Sequence, residues 1–463
     1  MDNSTSEVRF DVIRRLDIPG PRYTSYPPAT EWELPVDGKT FLQAVQNIGG
    51  NGPQPNVSLY VHMPFCPSMC WFCACNVLVT PRTDLADAYL DRLEWEIDAV
   101  APSVPADARV VQLHWGGGSP SYLLPDQMTR LFSMLSKHFR FAEGAEIAIE
   151  VDPRITTGEH LATLRSLGFN RLSIGVQDFD DSVQHAINRI QPVDLTKQFL
   201  QSVRDYGFGS TNIDLIYGLP KQTVESFSRT VDAVLEIEPD RLAVYSYAHV
   251  PWLKPFQKKF DETTIPKGEE RFSIFRMALE RLLGAGYDAI GMDHFAKPTD
   301  ELALARKNGT LHRNFMGYST RAGADLVAFG LSSISFVDGL YAQNEKKLNP
   351  YYRTIDQGRL PVSRGYRMTE DDHLRGDIIQ RLMCRGRIDK AEVEQRHHIE
   401  FDDVFAAELE SLKTYEESGL LVLGDDVIEC TLLGRILIRP VAMVFDAHLR
   451  KTHVEKRRFS KTV

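Results

Sequence analysis

The chain has 463 residues, of which 43% are hydrophobic and 25% are charged, values typical of a folded globular protein rather than a disordered or fibrous one. Its net charge of -10 argues against an extended nucleic-acid interface, because a phosphate backbone is bound by a basic surface. Apolar stretches of membrane-spanning or signal-peptide length are lacking in the sequence, so we expect no membrane partner and a cytoplasmic location.

The first segment, residues 1–56, contains a proline- and glycine-rich stretch that reads GPRYTSYPP from Gly20 to Pro28. Proline lacks a backbone N–H donor and has a fixed φ angle, so this stretch is unsuited to a regular helix or a central strand. We predict an ordered arm or a linker.

Six short apolar runs, each followed by a stretch long enough for a helix, recur between about residues 57 and 250. This alternation predicts repeated βαβ units and a parallel sheet that forms a partial or complete barrel. The predicted strands are VSLYVHM at 57, VVQLHW at 110, AEIAIEV at 145, NRLSIGV at 170, TNIDLIY at 211 and RLAVYSYA at 241. Folds of this kind build their sites from the loops at the carboxyl ends of the strands.

Three cysteines, Cys66, Cys70 and Cys73, follow the first predicted strand with the spacing C-x-x-x-C-x-x-C. Thiolates are soft ligands that suit zinc or an iron–sulfur cluster. A structural zinc site usually has four ligands in paired short spacings, and the second pair is missing here. The pattern therefore favours a 4Fe-4S cluster in which one iron is open to a substrate or cofactor.

Cys75 could serve as a fourth ligand, but only one residue separates it from Cys73. Two thiols so close in sequence would reach separate irons only through a strained loop, so we interpret Cys75 as a non-ligand. It is then either a small apolar filler or a catalytic thiol. Cys384 and Cys430 are isolated in the sequence, and we expect them to be core residues.

Glycine and polar residues follow the other predicted strands. Gly116, Gly117, Gly118 and Ser119 end the second strand, and glycines there let the backbone approach a ligand, although a tight turn would also use them. Three later strands carry the polar residues Glu150, Gln177 and Asp214. Each is also consistent with structural hydrogen bonding, but a charged Asp214 among apolar neighbours requires a partner or a function.

From about residue 365 the pattern changes to helices. Thr369 and the acidic residues after it predict a helix start, and residues 421–431 predict a β-hairpin. Helices with a small hairpin are typical of winged-helix modules, but the acidic composition favours a lid or scaffold over DNA binding. We predict three parts: an arm at 1–56 that contributes to the substrate site, a barrel with its extension at 57–364, and a mainly helical domain at 365–463.

The cysteine loop, the triple glycine and the arm together resemble the oxygen-independent coproporphyrinogen III oxidases, which are radical S-adenosylmethionine (SAM) enzymes. The resemblance extends through LHWGGGSPSYL, IEVDPR, NRLSIGVQDF, STNIDLIYGLPKQT, YAHVP, GMDHFAKP, HRNF and YAQN. It implies an α/β fold with an incomplete TIM-like barrel and a mainly helical carboxyl-terminal domain.

The resemblance also implies roles for individual residues. The cluster ligands would be Cys66, Cys70 and Cys73, and Cys75 would be catalytic. The implied SAM contacts are Tyr60, Phe72, Gly117, Gly118, Ser119, Glu150, Gln177, Arg189, Asp214, Ala248 and Ile334. Ala74, Ser119 and Met316 depart from the family's pattern, and Met316 replaces a common glutamine near an expected second SAM, where thioether packing could replace the polar contact.

The implied reaction is the anaerobic oxidative decarboxylation of two propionate side chains of coproporphyrinogen III to vinyl groups, which gives protoporphyrinogen IX in haem biosynthesis. Because the propionate β-hydrogens are unactivated, the resemblance assigns their removal to a 5′-deoxyadenosyl radical from SAM, with two SAM molecules per turnover. The implied electron donor is a small reductant protein such as flavodoxin or ferredoxin. We expect a monomer.

Four propionates also require cations. We propose Arg22 and Arg313 as carboxylate clamps, because a guanidinium group matches a carboxylate with two hydrogen bonds, although surface ion pairs would explain them equally well.

Two alternatives use the same framework: a haem-binding chaperone and a radical SAM enzyme with another substrate. Such chaperones typically have an aromatic residue at the position of Cys75 and lack the arm. Cys75, the arm and the HRNF segment favour the oxidase.

Overall fold

A twelve-stranded sheet organises the structure, a computed structural model that describes residues 12, 15–32, 35–50, 55–451 and 459. The strands are β1 Asn56–Met63, β2 Phe65–Cys66, β3 Leu78–Val79, β4 Arg109–Gly117, β5 Phe141–Val151, β6 Arg171–Gln177, β7 Ser210–Tyr217, β8 Arg241–Ser246, β9 Asp288–Gly291, β10 His294–Ala296, β11 His312–Asn314, β12 Gly317–Ser319, β13 Asp325–Phe329, β14 Ile334–Val337, β15 Leu340–Asn344, β16 Val362–Arg367, β17 Arg387–Asp389, β18 Leu421–Leu423 and β19 Val427–Cys430.

The α-helices follow the strands in an alternating order up to β8. They are α1 Gly38–Gln46, α2 Leu85–Val100, α3 Pro125–His138, α4 Gly158–Ser166, α5 Asp181–Ala186, α6 Val193–Asp205, α7 Val224–Ile237, α8 Gly268–Gly284, α9 Glu301–Lys307, α10 Leu348–Asp356, α11 Glu370–Arg385, α12 Lys390–His397, α13 Phe401–Val404, α14 Ala406–Glu417, α15 Leu432–Ile436, α16 Ile438–Met443 and α17 Ala447–Lys451.

The sheet runs in the order β16-β15-β14-β13-β1-β4-β5-β6-β7-β8-β10-β9. Neighbouring strands from β13 to β8 are parallel, whereas the strands at both edges are antiparallel. All six predicted strands are present, as β1 and β4 to β8, and the prediction of a parallel sheet is confirmed. The sheet does not close, so the fold is the expected partial barrel.

The side chains of β7 alternate between apolar and polar, and they show how a strand separates the core from the site. Ile213 and Leu215 are fully buried in the same apolar cluster as Phe227 of α7. Successive side chains of a strand point to opposite faces, so Asn212 and Asp214 lie on the other face of the sheet. Apolar residues therefore hold the helices on one face, while polar residues project from the opposite face.

The described part of the predicted arm joins the barrel extension to the carboxyl-terminal region. Trp32 is buried and stacks on Tyr341 of β15, with ring centroids 4.7 Å apart. Tyr23 donates a hydrogen bond to Asp446 at 2.9 Å, and Arg439 donates to the carbonyl oxygen of Pro21 at 2.9 Å. The rest of the predicted arm, residues 1–11, 13–14, 33–34 and 51–54, lies outside the described residues, and the predicted domain boundaries stay predictions.

The carboxyl-terminal part is mainly helical and contains the predicted hairpin. Thr369 caps α11 by accepting a hydrogen bond from the amide of Asp372, and β18 pairs with β19. β17 adds a third strand to this small sheet. Cys384 and Cys430 are buried, which confirms that they are core residues. None of the helices in the described ranges combines the length and apolar character needed to cross a membrane.

Glu96 of α2 is a buried carboxyl group that connects this helix to the antiparallel edge of the sheet. It accepts hydrogen bonds from the amide of Gly330 at 3.0 Å, the side-chain amide of Asn344 at 2.6 Å and the hydroxyl of Tyr351 at 2.6 Å. Burial raises the pKa of Glu96 to about 7 from an ordinary value of 4.5. The three donors replace the water that this carboxyl group loses on folding.

This shift predicts a pH-dependent stability. Because the folded pKa lies above the unfolded one, the stabilising contribution of Glu96 is complete below about pH 4.5 and is lost as the pH rises through about 7. The loss is on the order of 3 kcal/mol at most. We expect the melting temperature of the wild type to fall across this window relative to that of Glu96→Gln. Thermal unfolding on both sides of the window measures this difference, and parallel pH curves would contradict the assignment.

Candidate active site

The candidate active site begins at the carboxyl end of β1, where the chain enters the cysteine loop. Cys66 lies in β2, which pairs in parallel with β3, so the two ends of the loop are held together. The amide of Trp71 donates to the carbonyl of Ile187 at 2.9 Å, and Asn188 donates to the carbonyl of Met69 at 2.7 Å. The segment after α5 therefore fixes the loop at the carboxyl edge of the parallel strands.

The thiols of this loop affect one another's ionisation. Burial raises the pKa of Cys66 to about 12, and the neighbouring Cys73 and Cys70 contribute to the rise. A hydrogen bond between Cys75 and Cys73 lowers the pKa of Cys73 and raises that of Cys75. The four sulfur atoms are thus close enough to interact, and Cys75 holds its proton at the expense of Cys73.

Two guanidinium groups lie beside Cys70. Arg154 Nη2 is 3.9 Å and Arg189 Nη1 is 3.7 Å from the Cys70 sulfur. Both arginines pair with the buried carboxylate of Asp152, at 2.6 and 3.3 Å. Two cations that share one carboxylate leave a net positive charge next to the sulfur, where it suits an anionic group.

These observations fit an iron–sulfur cluster with three cysteine ligands. The sulfur atoms of Cys66, Cys70 and Cys73 are soft donors on one loop, and cations adjoin one of them. No group of three or more His, Cys, Asp or Glu side chains within the described ranges stands in an arrangement for a metal ion. The fit therefore depends on the donor chemistry of the loop and its charged surroundings.

The triple glycine packs against the start of the cysteine loop. The amide of Gly118 donates to the carbonyl of Met63 at 2.7 Å, and the amide of Ser119 donates to that of Phe65 at 2.9 Å. Gly117 has a φ of +114°, and a Cβ at this position would lie 2.5 Å from the ring of His62. A side chain at Gly117 would therefore strain the backbone and displace the histidine.

Glu150, at the end of β5, is held between the triple glycine and a histidine. It accepts a hydrogen bond from the amide of Gly117 at 3.2 Å, and its carboxylate lies 3.3 Å from His114 Nε2. Burial opposes ionisation of Glu150, but the contact with His114 and the Gly117 amide holds its pKa below the ordinary value. The carboxylate is therefore ionised and oriented before any ligand binds.

His62 and His114 are residues of this site that the sequence interpretation missed. His62 Nδ1 lies 3.2 Å from the hydroxyl of Tyr60, and His62 Nε2 lies 3.0 Å from the carbonyl of Asn76. His114 stacks on Tyr60 with ring centroids 5.9 Å apart. The sequence did contain a signal for His62, because it is two residues from Tyr60 on the same strand and residues at this spacing share a face. The position of His114 opposite Tyr60 depends on the strand register.

One cavity of about 300 Å³ brings together five of the predicted site residues. They are Tyr60, Cys75, Gly117, Glu150 and Ile334. Cys75 is an exposed residue, and Met316 lines the same cavity. An apolar thioether thus stands in a cavity that also contains a carboxylate and a phenol.

The remaining predicted SAM contacts lie outside this cavity. They are Phe72, Gly118, Ser119, Gln177, Arg189, Asp214 and Ala248. The carbonyl groups of Phe72 and Ala248 both accept a hydrogen bond from Gln257 at 3.2 Å, so these two positions are close together. Burial raises the pKa of Asp214 to about 7, and Asn212 donates to it at 2.8 Å. Gln177 ends β6 with a φ of +72°.

The two predicted carboxylate clamps meet around Asp293. Arg22 Nη1 lies 3.5 Å from Asp293, and its Nη2 donates to the carbonyl of Ser246 at 3.1 Å. Burial opposes ionisation of Asp293, but His294, 2.7 Å away, holds the pKa of this carboxyl far below its ordinary value, and the charges of the buried Arg313 and of Arg22 add to the effect. Arg313 Nε lies 3.4 Å from the Arg22 carbonyl, and the Arg313 guanidinium lies 4.7 Å from the Tyr318 ring centroid. Arg22 is therefore engaged in holding the arm.

Arg313 differs from Arg22 in having an open donor. Its Nη1 is buried without a hydrogen-bond partner in the described structure. The residue lines a second cavity of about 360 Å³ together with His312 and Gln380. Phe315 and Leu326 line both cavities, so the two spaces are separated by a shared wall.

Comparison with known proteins assigns the family. Residues 60–234 match the Radical SAM superfamily, and residues 368–437 match the HemN C-terminal domain. An oxygen-independent coproporphyrinogen III oxidase from Salmonella typhimurium is 45% identical over 99% of this chain and 100% of its own length. One from Synechocystis is 43% identical over 99% of both chains. The chain belongs to this oxidase family.

A solved structure of the same family agrees with the fold. Coproporphyrinogen III oxidase (HemN) from Escherichia coli, described as a radical SAM enzyme, is 44% identical and superposes with a TM-score of 0.90. The match covers 96% of this chain and 99% of that chain. The resemblance and the fold class inferred from the motifs are therefore confirmed.

Gly117 provides a test of the cavity geometry. In Gly117→Ala the new Cβ would meet the His62 ring. The control is Gly207→Ala, because Gly207 also has a positive φ but no atom lies within 4 Å of the carbon added there. Both variants pay a backbone cost of about 1–2 kcal/mol. We expect only Gly117→Ala to lose SAM affinity, by about tenfold or more. Equilibrium dialysis of the reconstituted proteins measures the SAM affinity. Equal affinities of the two variants would refute the close packing of Gly117 against His62.

Proposed function

We propose that this chain is a SAM-dependent oxidoreductase, an oxygen-independent coproporphyrinogen III oxidase that forms protoporphyrinogen IX. The observation that carries the proposal is the similarity to enzymes of this name over the entire chain, from the arm to the carboxyl-terminal domain. In the reaction each of two propionates loses a hydrogen atom, one electron and carbon dioxide and becomes a vinyl group. No base that a protein could tune removes such an unactivated hydrogen.

The cofactors of the proposed enzyme are a 4Fe-4S cluster and SAM. Cys66, Cys70 and Cys73 would hold the cluster, and its fourth iron would be open to SAM. When bound, the reduced cluster and SAM supply the 5′-deoxyadenosyl radical that removes the propionate hydrogen. The proposed SAM contacts are those named from the family resemblance, and the cavity beside Tyr60 and Ile334 supports part of that set.

The chain's own residues position and shield these groups. Glu150 is an oriented carboxylate that accepts from Gly117, and it suits an ammonium group of a ligand. Arg154 and Arg189 place positive charge beside Cys70. Cys75 lines the cavity, and its pKa is raised, so it presents a protonated thiol beside the proposed SAM site.

Of the two proposed propionate clamps, Arg313 has the stronger support. Its buried Nη1 has no acceptor among the described residues and the residue lines a cavity, so a substrate carboxylate bound there could pair with the guanidinium. Arg22 already pairs with Asp293 and a carbonyl group, so its contribution would come through the position of the arm.

We also propose a small reductant protein, such as a flavodoxin or ferredoxin, as the electron donor, and a monomer in the cytoplasm as the working form. Six free cysteines support a reducing compartment. The alternative of a haem chaperone is not favoured, because the similar curated proteins are named as oxidases and Cys75 is present.

The decisive experiment is anaerobic incubation of the reconstituted, reduced protein with SAM and coproporphyrinogen III. We expect protoporphyrinogen IX and 5′-deoxyadenosine to form in the wild type. In Cys75→Ser we expect the iron content and SAM binding of the wild type, because the proposed cluster ligands are intact. We expect no protoporphyrinogen IX, because the proposed catalytic thiol is missing. Chromatography of the tetrapyrroles, iron analysis and equilibrium dialysis measure these quantities.

The matched control is Cys73→Ser, in which we expect iron to be lost because a ligand is removed. SAM cleavage in the wild type without protoporphyrinogen IX would overturn the oxidase, and stoichiometric haem binding would favour the chaperone. Iron loss in Cys75→Ser equal to that in Cys73→Ser would overturn the division of roles between the two thiols.

A second experiment tests the clamps. Arg313→Lys retains a cation but lacks the paired donors of guanidinium, so we expect about a 10- to 100-fold rise in KM for coproporphyrinogen III. SAM affinity should not change, because Arg313 lies outside the smaller cavity. Steady-state assays and equilibrium dialysis separate the two effects. An unchanged KM in Arg313→Lys with a raised KM in Arg22→Ala would assign the clamp to Arg22 instead.

A further inference from the structure

One exposed segment beside the cysteine loop combines lysines with exposed apolar side chains. From Val250 to Phe260 the sequence reads VPWLKPFQKKF, with three lysines and no acidic residue, in a protein of net charge -10. Trp252 is 53% and Leu253 is 63% exposed, and the latter is the highest value for a large hydrophobic side chain in the described ranges. Adjacent exposed apolar side chains next to cations mark an interaction surface.

The lysines of this segment are not paired with carboxylates of the described residues, and two of them, Lys258 and Lys259, are exposed. In the described structure none of Lys254, Lys258 and Lys259 forms an ion pair with a carboxylate of the chain. Lys258 and Lys259 are exposed at the end of the 3-10 helix Pro255–Lys259. Two acidic residues follow the segment. Glu262 contacts His249, and the Asp261 side chain accepts a hydrogen bond from the amide of Thr263. The positive charge of Lys258 and Lys259 is therefore free to attract an acidic surface.

The same segment contacts the cysteine loop directly. Lys254 donates to the carbonyl of Cys75 at 2.8 Å, and Gln257 donates to the carbonyl of Phe72 at 3.2 Å. The ammonium group of Lys259 lies 4.8 Å from the Trp71 ring centroid, and Trp71 packs against Phe260. A protein seated on this segment would therefore rest against the backbone that carries the proposed cluster ligands.

We infer that Trp252, Leu253, Lys258 and Lys259 form the docking surface for a small acidic protein that carries single electrons. Charge complementarity on an otherwise acidic chain and the contacts with the cysteine loop select this partner. A small patch with a few charges suits such encounters, which bury little surface and depend on electrostatic attraction. The transfer moves one electron from the carrier, which is oxidised, to the cluster, which is reduced, and no covalent bond forms or breaks.

This inference rests on the proposed function, because a carrier is needed only if the loop holds a reducible cluster. The test uses the reconstituted full chain and an acidic flavodoxin as the probe. Calorimetry at low and high salt measures its binding in the oxidised form, and stopped-flow absorbance measures cluster reduction by its reduced form. Dithionite, a small reductant that needs no docking surface, provides the parallel measurement.

We compare Lys258→Glu/Lys259→Glu and Trp252→Ser/Leu253→Ser with the control Lys137→Glu/Lys197→Glu. The control changes the net charge equally, at lysines with exposed fractions of 60% and 41% on α3 and α6. We expect the first two variants to weaken flavodoxin binding and slow its reduction of the cluster by about tenfold or more. High salt should weaken wild-type binding, because it screens exposed charges. Dithionite should reduce all four proteins at the same rate.

Wild-type flavodoxin affinity in both patch variants, or an equal loss in the control, would overturn the inference. Binding of the wild type to vesicles of phosphatidylglycerol through the same residues, without flavodoxin binding, would assign the patch to a membrane and also overturn it. If dithionite-reduced wild type fails to cleave SAM, the proposed function fails instead. SAM cleavage with dithionite and normal flavodoxin kinetics in the patch variants would disprove the docking surface alone.

Discussion

The parallel pairing of β1 with β4 is the constraint on which the site depends. It places Tyr60 opposite His114 and Met63 opposite Gly117, so the two strands end at the same edge of the sheet. The cysteine loop leaves β1 at that edge, and the triple glycine leaves β4 beside it. A one-residue slip of the register would turn Tyr60 away from the cavity, because alternate side chains face opposite sides of a strand.

The sequence was sufficient for features that depend on local pattern. The apolar runs predicted β1 and β4 to β8, and the polar residues after Thr369 predicted the start of α11. Contacts between segments that are distant in the chain could not be predicted from the sequence. Asp152 is two residues from Arg154, but its second partner, Arg189, comes from the segment after α5. Asp293 joins Arg22 to the barrel in the same way. Such pairs follow from topology and side-chain direction, which a single sequence does not specify.

The two proposed clamps show why residue type alone was a weak guide. Arg22 and Arg313 carry the same group, yet Arg22 is occupied by Asp293, whereas Arg313 retains a buried donor without a partner. Burial of an unpaired guanidinium donor costs free energy, and a carboxylate at the proposed clamp would offset that cost. Phe315, in the wall shared by the two cavities, lines both the cavity of Arg313 and that of the proposed SAM site.

The arm joins parts of the chain that are far apart in sequence. Tyr23 binds Asp446, Arg439 binds Pro21, and Tyr26 accepts a hydrogen bond from the amide of Ala447. During synthesis the arm leaves the ribosome before the barrel, whereas Arg439, Asp446 and Ala447 leave after the barrel. The barrel strands therefore emerge and can pair before the contacts of Tyr23 and Tyr26 with the carboxyl-terminal part can form. A chain that ended after the barrel would keep the cysteine loop and the Arg22–Asp293 pair but lose the contacts that hold the arm to the carboxyl-terminal part.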